Sequence, residues 1–340
     1  MRARSSIRCA AALLSGLLLI GVGACKNQAD RPAAGGSPTA GGGEKIELAF
    51  LINAPSDFWT YAKAGIAKAK RELGVEVHFE VPGHATTAEQ KQAIEAMIGK
   101  GVQGLAISPL DPESQVAILN EAAKHMPVVT QDSDAPKSNR VAYVGTDNVE
   151  AGRQAGRLIK EVLPKGGKIA VFVGKMDVAN ARERYQGMLE VIKDASITIV
   201  TGRPYTDETL RPKAQENVRA ALGKYPDLGC LVGLWSYNGP AIVKVVKEQG
   251  SKVPIVCFDE EAATLQGVRE GLIRATVVQQ PFEFGYRSIG LLAMMARAKR
   301  MNVPVVPAKE LVYVPTRIIR KADVDAFEKE LAAQLAQGKG

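Results

Sequence analysis

The chain has 340 residues, 46% of them apolar and 24% charged, which is enough for two domains with a sizeable core. Its formal net charge is +8, but the positive residues are spread along the chain without a long Lys/Arg block, and this excludes the electrostatic footprint of nucleic-acid binding. Aromatic residues make up only 5%, so a paired aromatic in a loop stands out.

The N-terminus reads as a targeting segment. Arg2, Arg4 and Arg8 form a positive region, and Ala10–Val22 is a short apolar run, too short for a membrane span. It leads into Val22-Gly23-Ala24-Cys25, small residues before a Cys, which is similar to a bacterial lipobox. Residues 1–24 are expected to be a signal peptide cleaved before Cys25, with Cys25 acylated; an ordinary secretory signal with an incidental Cys is the alternative. Residues 25–43, rich in Gly, Pro and Ala without periodicity, read as a flexible tether.

The folded part opens with Leu48–Leu73. The run Leu48-Ala49-Phe50-Leu51-Ile52 predicts a strand buried on both faces. A polar loop follows, in which Ser56 or Asp57 can cap a helix whose apolar stripe is Trp59, Ala62, Ile66, Ala69 and Leu73. Phe58 and Trp59 therefore sit at a strand C-terminal end and a helix N-terminus, where open α/β sheets bind ligands. They are either a flat apolar surface for a small ligand or the first core residues of the helix. The alternation continues with strands at Val75–Val81, Gly104–Ile107, Val128–Thr130 and Val141–Val144, and helices at Ala88–Lys100 and Ser114–His125. A second array restarts at the helix Glu150–Val162. It carries strands at Lys168–Val173, Thr198–Val200, Gly229–Leu234, Pro254–Phe258 and Ala275–Val278, and helices around Glu183–Lys193, Arg211–Lys224, Ala241–Gln249 and Ala262–Glu270. A long helix, Phe284–Lys299, and a partly amphipathic tail from Ala322 complete the chain. Such alternation predicts an α/β protein of two similar doubly wound parallel-sheet lobes with a cleft between them.

The strand ends collect Asp132 with Asp134, Trp235 to Asn238, Asp259 and Gln279. Carboxylates, amides and Arg pair with hydroxyl groups, and aromatic rings cover the C–H face of a sugar ring, so a cleft of this composition suits a carbohydrate. No cofactor or metal site is expected: His78, His84 and His125 lack metal-ligand spacing. Cys230 and Cys257 lie in apolar runs and read as buried thiols, although a disulfide remains open. Ser236 lies in Gly233-Leu234-Trp235-Ser236-Tyr237-Asn238-Gly239, which lacks the spacing of a nucleophile elbow, and there is no phosphate-binding loop, so the chain is not expected to be an enzyme.

Ser56-Asp57-Phe58-Trp59, Val144-Gly145-Thr146-Asp147-Asn148, Ala181-Arg182-Glu183-Arg184-Tyr185-Gln186-Gly187, Val256-Cys257-Phe258-Asp259 and Ala275-Thr276-Val277-Val278-Gln279-Gln280-Pro281, taken in this order, carry a resemblance. From about Lys45 to Arg320 the sequence resembles the bacterial type I periplasmic sugar-binding proteins, the ribose-binding-protein family of ABC importers. The resemblance implies that Phe58 and Trp59 stack on a sugar, that Asp132 and Asp259 bind hydroxyls, that Arg182 is the cleft arginine, and that Gln279 contacts ligand from the hinge. Asp132 or Asp259 could instead cap a helix, and Arg182 could be a surface charge. The chain departs from the ribose pattern at Ser108, Ser133, Thr206 or Tyr205, and Tyr237 with Asn238. Each swap alters a polar contact, so a different sugar or a polyol is expected. Trp235 and Tyr237 could rebuild a stacking wall from the second lobe.

The type I connection pattern implies three crossings, near Thr146–Asn148, Gln279–Pro281 and Val306–Lys309. The first lobe would comprise 44–147 plus 281–307 and the second 148–280 plus 308–340. Ligand bridging the lobes would stabilise a closed form recognised by an ABC permease and ATPase complex. The expected protein is a monomer on the periplasmic face of the cell envelope, held to the membrane by its lipid anchor. A sugar-responsive repressor would need an N-terminal DNA-binding motif where the signal and tether stand. A sensor that presents ligand to a chemoreceptor or kinase uses the same binding event, and an amino-acid ligand would use Arg182 and Asp259 on its charged ends.

Overall fold

The apolar run at the start of the folded part becomes β1 (Ile46–Leu51), paired in parallel with β2 (Val75–Glu80) on one edge and β3 (Leu105–Ile107) on the other and covered by helices on both faces. β4 (Val128–Gln131) and β5 (Ala142–Gly145) extend the sheet beyond β3. Even here the period of two is visible. Leu48 and Phe50 pack under α1 (Phe58–Leu73) with Trp59 and Ile66. Ala49 and Leu51 face the other way, onto Ile94 of α2 (Thr87–Lys100) and Leu119 of α3 (Val116–His125). Thr86 and Glu89 start α2 with a reciprocal capping box, which satisfies two backbone donors that would otherwise be orphaned. The expected cap of α1 is only partly formed: Asp57 stands at the cap position without a side-chain bond, while the Phe58 amide donates to Ser56 Oγ at 3.2 Å.

The computed structural model describes residues 45–302 and 309–339. The expected signal peptide, Cys25, the tether and residues 306–308 of the third expected crossing lie outside the described residues. No helix among the described residues is long and apolar enough to cross a membrane.

After β5 the chain enters a second array. Its elements are α4 (Asn148–Val162), β6 (Gly167–Val173), α5 (Ala179–Ile192), β7 (Ile197–Ile199), β8 (Tyr205–Thr206), α6 (Arg211–Lys224), β9 (Leu228–Gly233), α7 (Asn238–Glu248), β10 (Ile255–Phe258), α8 (Ala262–Glu270) and β11 (Ile273–Val278). The second sheet runs β11-β10-β9-β6-β7, all parallel, with β8 beside β6. Helices cover both faces. Ala151, Leu158 and Met188 of α4 and α5 pack on one, and Val218, Ile242 and Leu265 of α6, α7 and α8 on the other. α4 and α5 touch backbone to backbone: a Cβ at Gly152 would lie 2.1 Å from the Arg184 carbonyl oxygen, and one at Gly187 would lie 1.9 Å from that of Val149. This close approach fixes the helical turn that carries Arg184.

α9 (Pro281–Arg300) returns to the first sheet, where Phe284 and Leu292 join the core beside Leu48; full burial of each such side chain contributes about 1.5–3 kcal/mol. β12 (Glu310–Tyr313) then pairs in parallel with β5, and β13 (Arg317–Ile319) pairs antiparallel with β11. The third passage between the sheets is therefore Val314–Thr316. This corrects the expectation of a crossing near Val306–Lys309 and of a second lobe that begins at 308. The physical reason is that Glu310–Tyr313 is a mostly exposed edge strand whose pairing partner is far away in sequence, so the short run Leu311-Val312-Tyr313 does not say which sheet it joins.

The tail forms α10 (Val324–Gln337), which touches both lobes. Val324, Phe327 and Leu331 enter the second core, while the Gln337 carbonyl accepts from the Arg71 guanidinium on α1. Cys230 and Cys257 are free and buried, and burial pushes both thiols up to about 12.

Candidate functional site

The C-terminal ends of the two sheets face a cleft. Two carboxylates stand at its centre. Asp132 follows β4 and Asp259 follows β10, and both adopt left-handed backbone, with φ 59° and 65°. Such strain in non-glycine residues persists only where the surroundings fix it, and it clusters at functional sites. Asp132 Oδ2 accepts from Ser108 Oγ at 2.8 Å, Asn53 Nδ2 at 3.2 Å and, across the cleft, Asn180 Nδ2 at 3.3 Å. Asp259 accepts from the Gln279 amide nitrogen at 3.3 Å and from Gln279 Nε2 at 3.1 and 3.2 Å. Burial pushes both carboxyls upward, and Arg184 is the main opposing influence on each.

Arg184 is 1% exposed and is the largest fully buried side chain among the described residues. Its Nε donates to Asn148 Oδ1 at 3.0 Å, its Nη1 donates to the Leu234 carbonyl at 2.8 Å, and its guanidinium lies 4.6 Å from the Phe258 ring centre. Nη2 has no protein partner, nor does Oε1 of Gln279. Both residues line the cleft, so a donor and an acceptor are left for an occupant.

Aromatic rings form the walls. From the first lobe come Phe58 and Trp59, packed edge to face at 4.9 Å, with Trp59 also against Phe50 at 6.2 Å. Both are buried and both line the cleft, so the two readings of this pair hold together: the rings are core on one side and wall on the other. From the second lobe come Trp235 and Tyr237, whose rings meet edge to face at 6.3 Å. Gly174 leaves them room, since a Cβ there would lie 2.1 Å from the Trp235 ring. Trp235 Nε1 donates to Asn180 Oδ1 at 3.1 Å. The Tyr237 hydroxyl donates to Asp207, which also accepts from Asn238 Nδ2 at 3.2 Å; burial pushes Asp207 up to about 6. Arg211 closes this side, 5.6 Å from the Tyr237 ring centre and paired with Glu261 at 3.1 Å.

Of the residues expected at the site, Phe58, Trp59, Asp132, Tyr237, Asp259 and Gln279 line the cleft. Ser108 stands behind Asp132 and orients it. Ser133, Thr206 and Asn238 are not on the walls: the Ser133 hydroxyl is buried without a partner, the Thr206 carbonyl accepts from Asn217, and Asn238 braces Asp207 and the Trp235 amide. Arg182 requires a correction. It is exposed and donates to the Met176 and Asp177 carbonyls, and the buried arginine of the cleft is Arg184. The phase of α5 explains this. Arg184 falls on the stripe of Ala181, Gly187 and Met188, whereas Arg182 lies about 200° round the helix from it. Asn53, Asn180 and Arg211 were not singled out either; the buried stripe of α5 was a signal for Asn180, and the strand-end rule was one for Asn53.

Residues 48–300 match the family model described as Periplasmic binding protein domain. A ribose import binding protein from Haemophilus influenzae is 28% identical over 277 residues, which cover 80% of this chain and 91% of that protein. Among solved structures, a glucose-galactose binding protein from Geobacillus stearothermophilus aligns with TM-score 0.75 at 29% identity, covering 83% of this chain and 99% of that one. An ABC-transporter solute-binding protein from Burkholderia graminis C4D1M in complex with D-arabinose aligns with TM-score 0.76 at 26% identity, covering 82% and 96%.

Proposed function

Because the chain belongs to the periplasmic binding protein family of sugar-binding ABC-transporter solute-binding proteins, we propose that it captures a monosaccharide or related polyol in the inter-lobe cleft and delivers it to an ABC import permease. The fold is that of two α/β lobes with parallel sheets, and the relatives named above are binding proteins, not enzymes. The observation that carries the reading is the cleft's composition: two buried carboxylates about one buried arginine, between aromatic walls from both lobes. Asp132, Asp259, Arg184 and Gln279 would pair with ring hydroxyls, while Phe58, Trp59, Trp235 and Tyr237 would cover C–H faces. The three passages between the sheets would serve as the hinge, and closure would be favoured because ligand gains contacts from both lobes at once.

The extracytoplasmic location fits the family, and the lipid anchor at Cys25, with cleavage before it, rests on the lipobox-like sequence. A thermal-shift panel of neutral monosaccharides, polyols and amino acids on the soluble part tests the ligand class. At 100 times its dissociation constant a true ligand adds about 2.7 kcal/mol, a shift of several degrees. A shift confined to amino acids would overturn the sugar reading, and calorimetry on the responding sugar would give its affinity.

A further inference from the structure

The cleft adjoins a second chamber of about 260 Å³, and Phe58, Ser236 and Asp259 line both. The two differ in charge. In the first, Arg184 and Arg211 stand with Asp132 and Asp259. The second is lined by Asp57, Asp259, Glu260 and Glu261, and no Lys, Arg or His is among its walls. Glu261 is already engaged with Arg211 at 3.1 Å. Glu260 is not: it is 4% exposed, and its Oε2 has no hydrogen-bond partner. A buried carboxyl oxygen without a donor is costly, and the usual remedy is a donor supplied by whatever occupies the space.

An occupant that brings positive charge and several donors would answer both the acidic wall and the unpartnered Glu260 oxygen. A metal ion does not fit, because among the described residues no group of three or more His, Cys, Asp and Glu side chains is disposed to hold one. An ammonium group does fit. It carries three donors, and the chamber offers acceptors from two sides: Glu260 between β10 and α8, and Asp57 with the Tyr61 hydroxyl at the start of α1. Burial, followed by Glu260 and Asp57, pushes the Tyr61 hydroxyl up to about 12, so it stays neutral. Burial and then Asp259 hold Glu260 well above the ordinary carboxylate range; Asp57, Tyr61 and Glu261 face the same space, and Arg211 is engaged with Glu261. An entering cation removes the reason for Glu260 to stay protonated.

Building on the sugar-binding reading above, we propose that the second chamber is a subsite for a cationic amino group, and that the preferred ligand is an amino-substituted sugar whose ring lies in the first chamber. The shared wall at Asp259 places the two groups on one small molecule.

Calorimetry with D-glucosamine, D-galactosamine and D-mannosamine, each against its parent hexose, tests this at neutral pH. At least one amine is expected to bind tenfold or more tightly than its parent. In Glu260→Gln, and separately in the surface variant Asp57→Asn, that ratio is expected to fall toward one. Parent hexoses that bind as well as every amine, or a ratio unmoved by both substitutions, overturn the amine subsite and leave the sugar reading standing. If neither amines nor any neutral sugar of the panel binds, it is the sugar reading that fails, and the subsite with it.

Discussion

Asp132 and Asp259 each follow a buried parallel strand, each take a left-handed backbone, and each have Arg184 as the main favourable charge. Their partners differ. Asp132 is held by three neutral donors, one of them reached across the cleft from α5, whereas Asp259 is held by Gln279 alone, a residue on the passage that leads back to the first lobe. In the closure proposed above, the first carboxylate would be tied to the opposite lobe through the side chain of Asn180, and the second to the passage between the sheets through Gln279.

Removing the cation they share should have the largest effect. Arg184→Met keeps the length of the buried side chain but strips the charge, leaving two buried carboxylates without their counter-ion. Loss of one partner of a buried ionic set costs roughly 3–5 kcal/mol, and the urea midpoint of the ligand-free protein measures it. A midpoint within experimental error of the parent would mean that the carboxylates are neutral and need no cation. The next effect separates the pair. Asp132→Ala and Asp259→Ala should each lose roughly 2–4 kcal/mol of ligand affinity by calorimetry, because each strips an acceptor from a desolvated site. Unchanged affinity in either would remove that residue from the ligand's contacts.

How much of this was legible in the sequence follows the same division. Asp132, Asp259 and Gln279 stand directly after apolar runs, so reading the strands places them at the cleft without further information. Phe58 and Trp59 were legible for the same reason. Arg184 was not chosen, because both arginines of Ala181–Gly187 satisfy a motif read in one dimension, and only the phase of the helix against its buried stripe separates them. Asp207 lay beyond reach: it follows a two-residue strand inside a polar stretch with no periodicity, and its role depends on Tyr237, thirty residues onward. β12 escaped for want of a buried face.

Asp207 also gives a pH test, since burial raises its carboxyl to about 6. Its carboxyl rises from 3.8 to about 6 on folding, so between these values the folded state binds more protons than the unfolded one. The sign follows: the stability it contributes is full below about pH 4, declines as pH rises through about 6, and is flat above. The limb amounts to something on the order of 2–3 kcal/mol. Asp207→Asn keeps a polar partner for Tyr237 and Asn238 but cannot titrate. Its melting temperature should therefore gain on the parent's from pH 4 to pH 7, and a constant gap would show that Asp207 does not titrate in that window.

The smallest effect isolates the cross-cleft bond itself. Asn180 links Asp132 of one lobe to Trp235 of the other through its two amide atoms, at 3.3 and 3.1 Å. Asn53 donates to the same carboxylate oxygen at 3.2 Å from within the first lobe. Each hydrogen bond is worth about 1 kcal/mol net, so Asn180→Ala, which loses two, should cost somewhat more thermal stability than Asn53→Ala, which loses one. Only Asn180→Ala removes an interaction that exists solely when the lobes are together. It should lower ligand affinity about fivefold and expand the ligand-free protein in small-angle scattering, while Asn53→Ala leaves the scattering profile as it was. Equal scattering from the two variants would mean that closure is set elsewhere, and the C-terminal helix that touches both lobes, at Leu331 on one side and Gln337 on the other, would be the element to truncate next.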